Sequence, residues 1–276
     1  RPLNCRIGHL RDATKRNILL KKMQEGPKLI DAHTHVQFVA YKDDRENVIK
    51  RSLDAGIWMV NVGTQLDTSI EAIKLAEKYP EGVYATVGLH PVHTDKSFHD
   101  KAELGEGGVE FTSRGEVFNY EEYKKLATHS KVVAIGECGL DYYRLENDSK
   151  QKQEDIFIKH IELAYEVKKP LMIHCRKAFE DLLNILRDNR HKLQIVPGII
   201  HFFSGDIKEA TMLLDMGFYF TFGGVVTFAR DYDEIIKTVP INRLLLETDA
   251  PYVTPAPYRG KRNEPSYIVE VAKKIG

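Results

Sequence analysis

Two histidines one residue apart, His33 and His35, close the apolar run Leu29-Ile30-Asp31-Ala32-His33-Thr34-His35-Val36. In an extended strand, residues two apart point to the same face, so both imidazoles aim at one place, which is a chelating geometry. Alone, such a pair carries little weight. Four later apolar runs, however, also end in metal-type side chains: Val132-Val133-Ala134-Ile135-Gly136-Glu137, Leu171-Met172-Ile173-His174, Gly198-Ile199-Ile200-His201 and Leu244-Leu245-Leu246-Glu247-Thr248-Asp249. Taken singly, His174 and His201 read as satisfied core histidines, and Glu137 and Asp249 as caps of the next helix. Taken together they converge, because imidazoles and carboxylates gathered in an apolar frame are costly unless a cation neutralises them.

Six donors are too many for one tetrahedral ion and suit two ions sharing a carboxylate. Glu137, on the central run, is the natural bridge, with His33, His35 and Asp249 around one ion and His174 and His201 around the other. Mixed imidazole and carboxylate ligation fits Zn, Mn, Fe or Mg, so the element is left open. A water held between two cations ionises near neutral pH, and Asp249 is placed to take its proton and return it to a leaving oxygen.

The elements that must position these residues alternate. Strand-like runs fall at 28–36, 57–63, 83–90, 132–139, 170–175, 198–204, 219–224 and 243–249. Helical patterns fall between them at about 43–54, 66–79, 120–129, 149–168, 177–190, 206–216 and 229–238, with a last one starting near 265. Eight βα units argue for a parallel sheet closed into a (β/α)8 TIM barrel, whose active sites lie at the C-terminal mouth where these runs end. The strands lack clean period-two polarity, as strands buried on both faces should. An open doubly wound sheet is the other fold considered, but its first βα turn would carry a glycine-rich phosphate loop, and here that turn carries His33 and His35.

Composition bounds the rest. The 276 residues suit one such barrel, and 42% hydrophobic with 29% charged residues describe an ordinary globular core. Lys plus Arg equals Asp plus Glu at 40 each, so any polyanion must be held locally or by metal. No apolar run approaches the length of a membrane span, and no signal-peptide core is visible, so a cytoplasmic protein without a membrane partner is expected. Cys5, Cys138 and Cys175 form no disulfide framework; alternation turns Cys138 and Cys175 away from the metal side as small buried filler. Residues 1–26 read as a basic extension and 27–276 as the barrel. The start at Arg1 and the stop soon after a helix has begun suggest a fragment trimmed at both ends.

Beyond the six donors, Glu247 shares the face of Asp249 one layer deeper and is expected to orient a ligand. Arg144 and Arg176, in loops at strand ends, are candidate phosphate clamps, although loop arginines are commonly just solvated. Arg259, Lys261 and Arg262 beside Tyr252 and Tyr258 offer a small basic and aromatic surface of the kind that binds single strands. The long polar connection at 93–119 reads as a structureless loop over the mouth, either a lid or an inert insertion.

The ordered motifs Asp31-Ala32-His33-Thr34-His35, Gly88-Leu89-His90-Pro91, Ile135-Gly136-Glu137-Cys138-Gly139-Leu140-Asp141-Tyr142-Tyr143, Ile173-His174-Cys175-Arg176, His201-Phe202-Phe203-Ser204-Gly205, Glu247-Thr248-Asp249-Ala250-Pro251-Tyr252 and Arg259-Gly260-Lys261-Arg262-Asn263-Glu264-Pro265 resemble the TatD family of metal-dependent deoxyribonucleases. The resemblance runs from about residue 28 to the end. It implies an amidohydrolase-like barrel and a 3′ to 5′ exonuclease on DNA, sometimes RNA, that uses two divalent cations and needs no obligate protein partner. It also implies that His33, His35, Glu137, His174, His201 and Asp249 are the metal ligands and that His90 contacts phosphate. Two features depart from the family pattern: a longer loop at 93–119 and a closing helix cut short.

Two other functions fit a barrel of this kind. A metallohydrolase of a small amide, ester or lactone would use the same chemistry, but many of those bridge their metals with a modified lysine, where this chain has Glu137. A non-catalytic binding barrel would be expected to lack a ligand, and none is missing.

Overall fold

The structure, a computed structural model of the chain, describes residues 26–96, 98, 99, 111–113, 115–143, 145 and 149–276. Eight parallel strands form one sheet: β1 (Leu29–Thr34), β2 (Ile57–Val62), β3 (Val83–Val87), β6 (Val132–Asp141), β7 (Leu171–Arg176), β8 (Gly198–Ile200), β9 (Tyr219–Phe222) and β10 (Leu244–Leu246). Their spatial order follows the chain without the reversal that an open doubly wound sheet requires. The barrel is nearly closed, the first strand being joined to the segment just past the last one. A parallel bridge joins Thr34 to Ala250, and the amides of His35 and Asp249 donate to the carbonyls of Ala250 and His33 at 2.8 and 2.9 Å.

A helix follows each barrel strand: α1 (Arg45–Asp54), α2 (Leu66–Glu77), α3 (Tyr120–Ala127), α4 (Ser149–Val167), α5 (Phe179–Asp188), α6 (Ile207–Asp215), α7 (Asp233–Thr238) and α8 (Ile268–Ile275). Helix α5 shows why: Phe179, Leu182, Leu183 and Leu186 recur at helical spacing and are its buried side chains, so one stripe faces the sheet. Asp206 starts α6 with a capping box, accepting the Glu209 amide while the Glu209 carboxylate takes the Asp206 amide. The main core lies between sheet and helices. A separate small cluster of Val62, Ala134 and Met172, flanked by Val60 and Ile199, fills the barrel interior. Among the described residues no helix is long and apolar enough to cross a membrane.

Three strands stop earlier than their apolar runs suggest. The runs at 83–90, 198–204 and 243–249 become Val83–Val87, Gly198–Ile200 and Leu244–Leu246. Left-handed backbone follows the second and third of these strands, at Phe202 with φ 45° and at Asp249 with φ 54°, and turns the chain out of the sheet. Strand β6 does the opposite and runs on to Asp141.

The connection at 93–119 is not structureless throughout. A two-stranded antiparallel ribbon, β4 (Phe98–His99) with β5 (Phe111–Thr112), rises from it. Its return limb is anchored on the body: the Glu116 amide donates to the His93 carbonyl, and the Glu116 carboxylate accepts from the Leu66 amide at the start of α2 and from the Tyr123 hydroxyl at 2.7 Å. Residues 100–110, with Gly105, Gly107 and Gly108, lie outside the described residues, as do residues 1–25 with Cys5, and Arg144.

Candidate metal centre

All six donors come together at the C-terminal mouth of the barrel. His33 Nε2 lies 3.1 Å from His35 Nε2, 3.4 Å from Glu137 Oε2 and 3.7 Å from Asp249 Oδ1, while His35 Nε2 is 3.4 Å from that same aspartate oxygen. On the other side, Glu137 Oε1 faces His174 Nδ1 at 3.1 Å and His201 Nε2 at 3.5 Å. One carboxylate thus turns one oxygen toward each donor set. Ligand atoms bonded at ~2.1 Å around a tetrahedral ion stand about 3.4 Å apart, which is the spacing found here. Among the described residues, three groupings place donor atoms within 4.8 Å of one another: His33, His35 and Glu137; His33, His201 and Glu247; and His90, Glu137 and His174.

The chemistry of the set also fits a cation. His33 and His35 point nitrogens at each other, and two imidazole lone pairs cannot satisfy one another without a positive species between them or a proton on one of them. Burial alone would push the His174 and His201 rings down, yet the facing carboxylates outweigh it and bring them up to about 9 and about 10. For His174 those carboxylates are Asp141 and Glu137; for His201 they are Glu247 and Glu137. Burial would likewise raise the Glu137 carboxyl, but the His90, His33 and His201 rings hold it well below the usual carboxylate range. With no cation bound, protons on the imidazoles balance the carboxylates. A divalent ion would replace those protons.

The supporting residues are as ordered as the donors. Glu247 is fully buried, and its Oε2 accepts from His201 Nδ1 at 2.9 Å, which leaves Nε2 of that ring for the centre and places Glu247 where the sequence suggests. Cys138 and Cys175 are buried in the layer between sheet and helices, away from the donors. His90 lies three residues past β3 and begins a short 3-10 turn, Pro91–His93. Its Nδ1 accepts the Val92 amide hydrogen at 3.2 Å, so the proton of the neutral ring sits on Nε2, which reaches Glu137 Oε1 at 3.2 Å. That tautomer turns a hydrogen-bond donor, not a lone pair, toward Glu137.

The basic surface expected at 258–263 is only partly available. Arg262 donates to the Ala40 carbonyl at 2.6 Å and to Asp44 at 2.7 Å, and its guanidinium covers the Tyr41 ring, so it fastens the first βα loop. Tyr258 is stacked on Tyr267 at 4.0 Å. Arg259 lies over the half-exposed Phe228 at 4.0 Å and Arg176 over Tyr143 at 3.7 Å. These cation and ring pairs stay at the rim.

Four buried residues to which the sequence reading gave no role shape the site. Asp31, two before His33, grips Thr248. Asn263 donates to the Thr248 and Tyr252 carbonyls at 2.8 and 2.7 Å and so fixes the loop carrying Asp249. His160 on α4 accepts the Leu89 amide at 3.0 Å, next to His90. Asp141 Oδ2 lies 2.8 Å from His174 Nε2. A period-two count from Glu137 would have flagged Asp141, and one from His33 would have flagged Asp31; nothing local flags the other two.

Comparison with known proteins gives the family. A family model described as TatD related DNase matches residues 30–276. YabD of Bacillus subtilis, an uncharacterized metal-dependent hydrolase, is 39% identical over 250 residues, spanning 90% of this chain and 89% of the relative. A protein of Pantoea ananatis named 3′-5′ ssDNA/RNA exonuclease TatD is 33% identical over 255 residues, covering 90% of each chain. Among solved structures, YJJV, a TatD homolog from Escherichia coli, superposes with a TM-score of 0.73 at 27% identity, over 90% of this chain and 88% of its own.

Proposed function

From the premise that the chain belongs to the TatD-related family of metal-dependent hydrolases, we propose that it hydrolyses phosphodiester bonds of nucleic acid, trimming single-stranded DNA from the 3′ end, with RNA as a second substrate. The observation that carries this reading is Glu137, whose two oxygens face two separate donor sets at 3.1 to 3.5 Å. That arrangement suits a pair of divalent cations, Zn, Mg or Mn, with His33, His35 and Asp249 on one side and His174 and His201 on the other. When bound, the ions would supply an ionised water near neutral pH and charge stabilisation on the attacking and leaving oxygens.

The protein's own groups divide the remaining work. Asp249 is held ionised: burial would raise its carboxyl, but the His35 hydrogen bond and the His201 and His33 rings pull it down. It is therefore a base able to take a proton from water and return it to the 3′-oxygen. His90, neutral because burial lowers its pKa, presents Nε2–H to a non-bridging phosphoryl oxygen. Arg176, stacked on Tyr143 at the rim, adds charge along the strand's path. The Pantoea relative's name supports polarity and substrate. The small amide, ester or lactone reading is less favoured, because the position between the two donor sets is held by Glu137 and not by a lysine.

The test is metal analysis of the purified protein together with digestion of 5′-end-labelled and 3′-end-labelled single-stranded DNA with added Mg2+, Mn2+ or Zn2+. A ladder shortening the 5′-labelled strand stepwise, stopped by a 3′-phosphate, is the expected result. Hydrolysis of lactones or amides with oligonucleotides left intact would overturn it.

A further inference from the structure

We propose that Asp141 is a positioning residue that fixes which nitrogen of His174 faces the metal centre, a role that rests on the metal reading above. The register of β6 against β7 sets the geometry. Gly139 pairs with His174, so Glu137 lies two residues below the histidine and Asp141 two residues above it on the same face. Gly139 has φ +134°, and a Cβ there would meet the His174 carbonyl oxygen at 2.1 Å, so this close seating of β7 needs glycine. The imidazole stands between two carboxylates: Nδ1 is 3.1 Å from Glu137 Oε1, and Nε2 is 2.8 Å from Asp141 Oδ2. A carboxylate only accepts, so in the metal-free protein both ring nitrogens donate, Nε2 to Asp141 and Nδ1 to Glu137. Asp141 keeps the hydrogen on Nε2, so Nδ1 is the nitrogen that would give up its proton to a cation.

Asp141 is itself held from three directions. Its Oδ1 accepts the Tyr143 amide at 2.9 Å. The buried Gln153 of α4 clamps its backbone, accepting the Asp141 amide at 2.8 Å and donating to the Asp141 carbonyl at 3.1 Å. Extension of β6 past Glu137 therefore places a rigid acceptor, not a frayed strand end. The arrangement mirrors Glu247 with His201 but with the nitrogens exchanged: Glu247 occupies Nδ1 of His201 and frees Nε2. Two imidazoles from adjacent strands reach one centre through different nitrogens, each fixed by its own carboxylate.

Asp141→Asn separates this role from a merely structural one. The asparagine Oδ1 can keep the Tyr143 amide, but its NH2 can only donate to Nε2, which drives the ring proton to Nδ1 and blocks that nitrogen as a ligand. Titration of the metal-free protein with Zn2+ should show affinity on the His174 side weakened by about 10- to 100-fold in Asp141→Asn, with the metal-free variant still folded by circular dichroism. Asp141→Ala, which frees the ring without inverting it, should bind Zn2+ better than Asp141→Asn. Long-range 1H–15N spectra of the Zn2+-loaded wild-type protein should show His174 ligating through Nδ1. Wild-type affinity in Asp141→Asn, or Nε2 ligation in the wild-type spectrum, overturns the proposal. A wild-type protein that takes up no Zn2+, Mn2+ or Mg2+ overturns the metal reading itself.

Discussion

Asp31 holds Thr248 twice, accepting its amide at 2.9 Å and its hydroxyl at 2.5 Å, across 217 residues of chain. The pair joins the first strand to the segment after the last, just before Asp249, and it is fully buried. Asp31→Ala leaves two donors of Thr248 without partners and should cost about 3 kcal/mol of stability. Urea unfolding measures this. Because Asp249 follows directly, divalent-ion affinity should fall in the same variant. Unchanged ion affinity would separate this latch from the placement of Asp249.

Glu137→Ala removes the one carboxylate that faces both donor sets. Phosphodiester hydrolysis should fall by more than about 10³-fold, since a metal pair supplies several kcal/mol of charge stabilisation. Bound metal, measured by mass spectrometry after dialysis, should drop with it. Wild-type metal content with wild-type rates would refute the bridge.

His90→Ala should leave metal content intact while lowering kcat/KM on oligonucleotides by about 10²- to 10³-fold, as loss of one preorganised donor does. The reason is the Val92 amide on Nδ1, which commits the other nitrogen to donating. Loss of metal in this variant would instead make His90 a ligand beside Glu137 and His174, a grouping the geometry also allows.

His160 gives a pH dependence that does not involve the metal donors. Burial lowers its pKa from 6.5 to about 4, against the small opposing effect of its hydrogen bond to the Ile156 carbonyl. Below pH 6.5 the unfolded chain takes up a proton that the folded chain does not, so folding stability declines as pH falls from about 6.5 to about 4. At 1.36 kcal/mol per unit the loss approaches about 3 kcal/mol. His160→Gln should flatten the difference in urea-unfolding free energy between pH 6.5 and pH 4 by that amount. Parallel curves for the two proteins would rule the assignment out.

The alternation of apolar runs and helical stripes made the barrel and its eight βα units legible in the amino-acid order, because both patterns record local burial. The convergence of the six candidate donors was legible too. Each closes an apolar run, and the mouth of a barrel is where such ends must meet. The strand boundaries before His201 and Asp249 were less legible, because left-handed backbone at Phe202 and Asp249 turns the chain away without a glycine to mark it.

What tertiary structure alone decided is the second partner of each group. Whether Arg262 reaches a phosphate or Asp44, whether Asp141 points at His174, and whether His160 supports the segment before His90 all depend on register and on contacts between residues distant in the chain. A sequence records which side chains can donate, accept or ligate. Which nitrogen of an imidazole is left free is set by its neighbours in space, and those exist only once β1 has met β10 and Gly139 has been seated against His174.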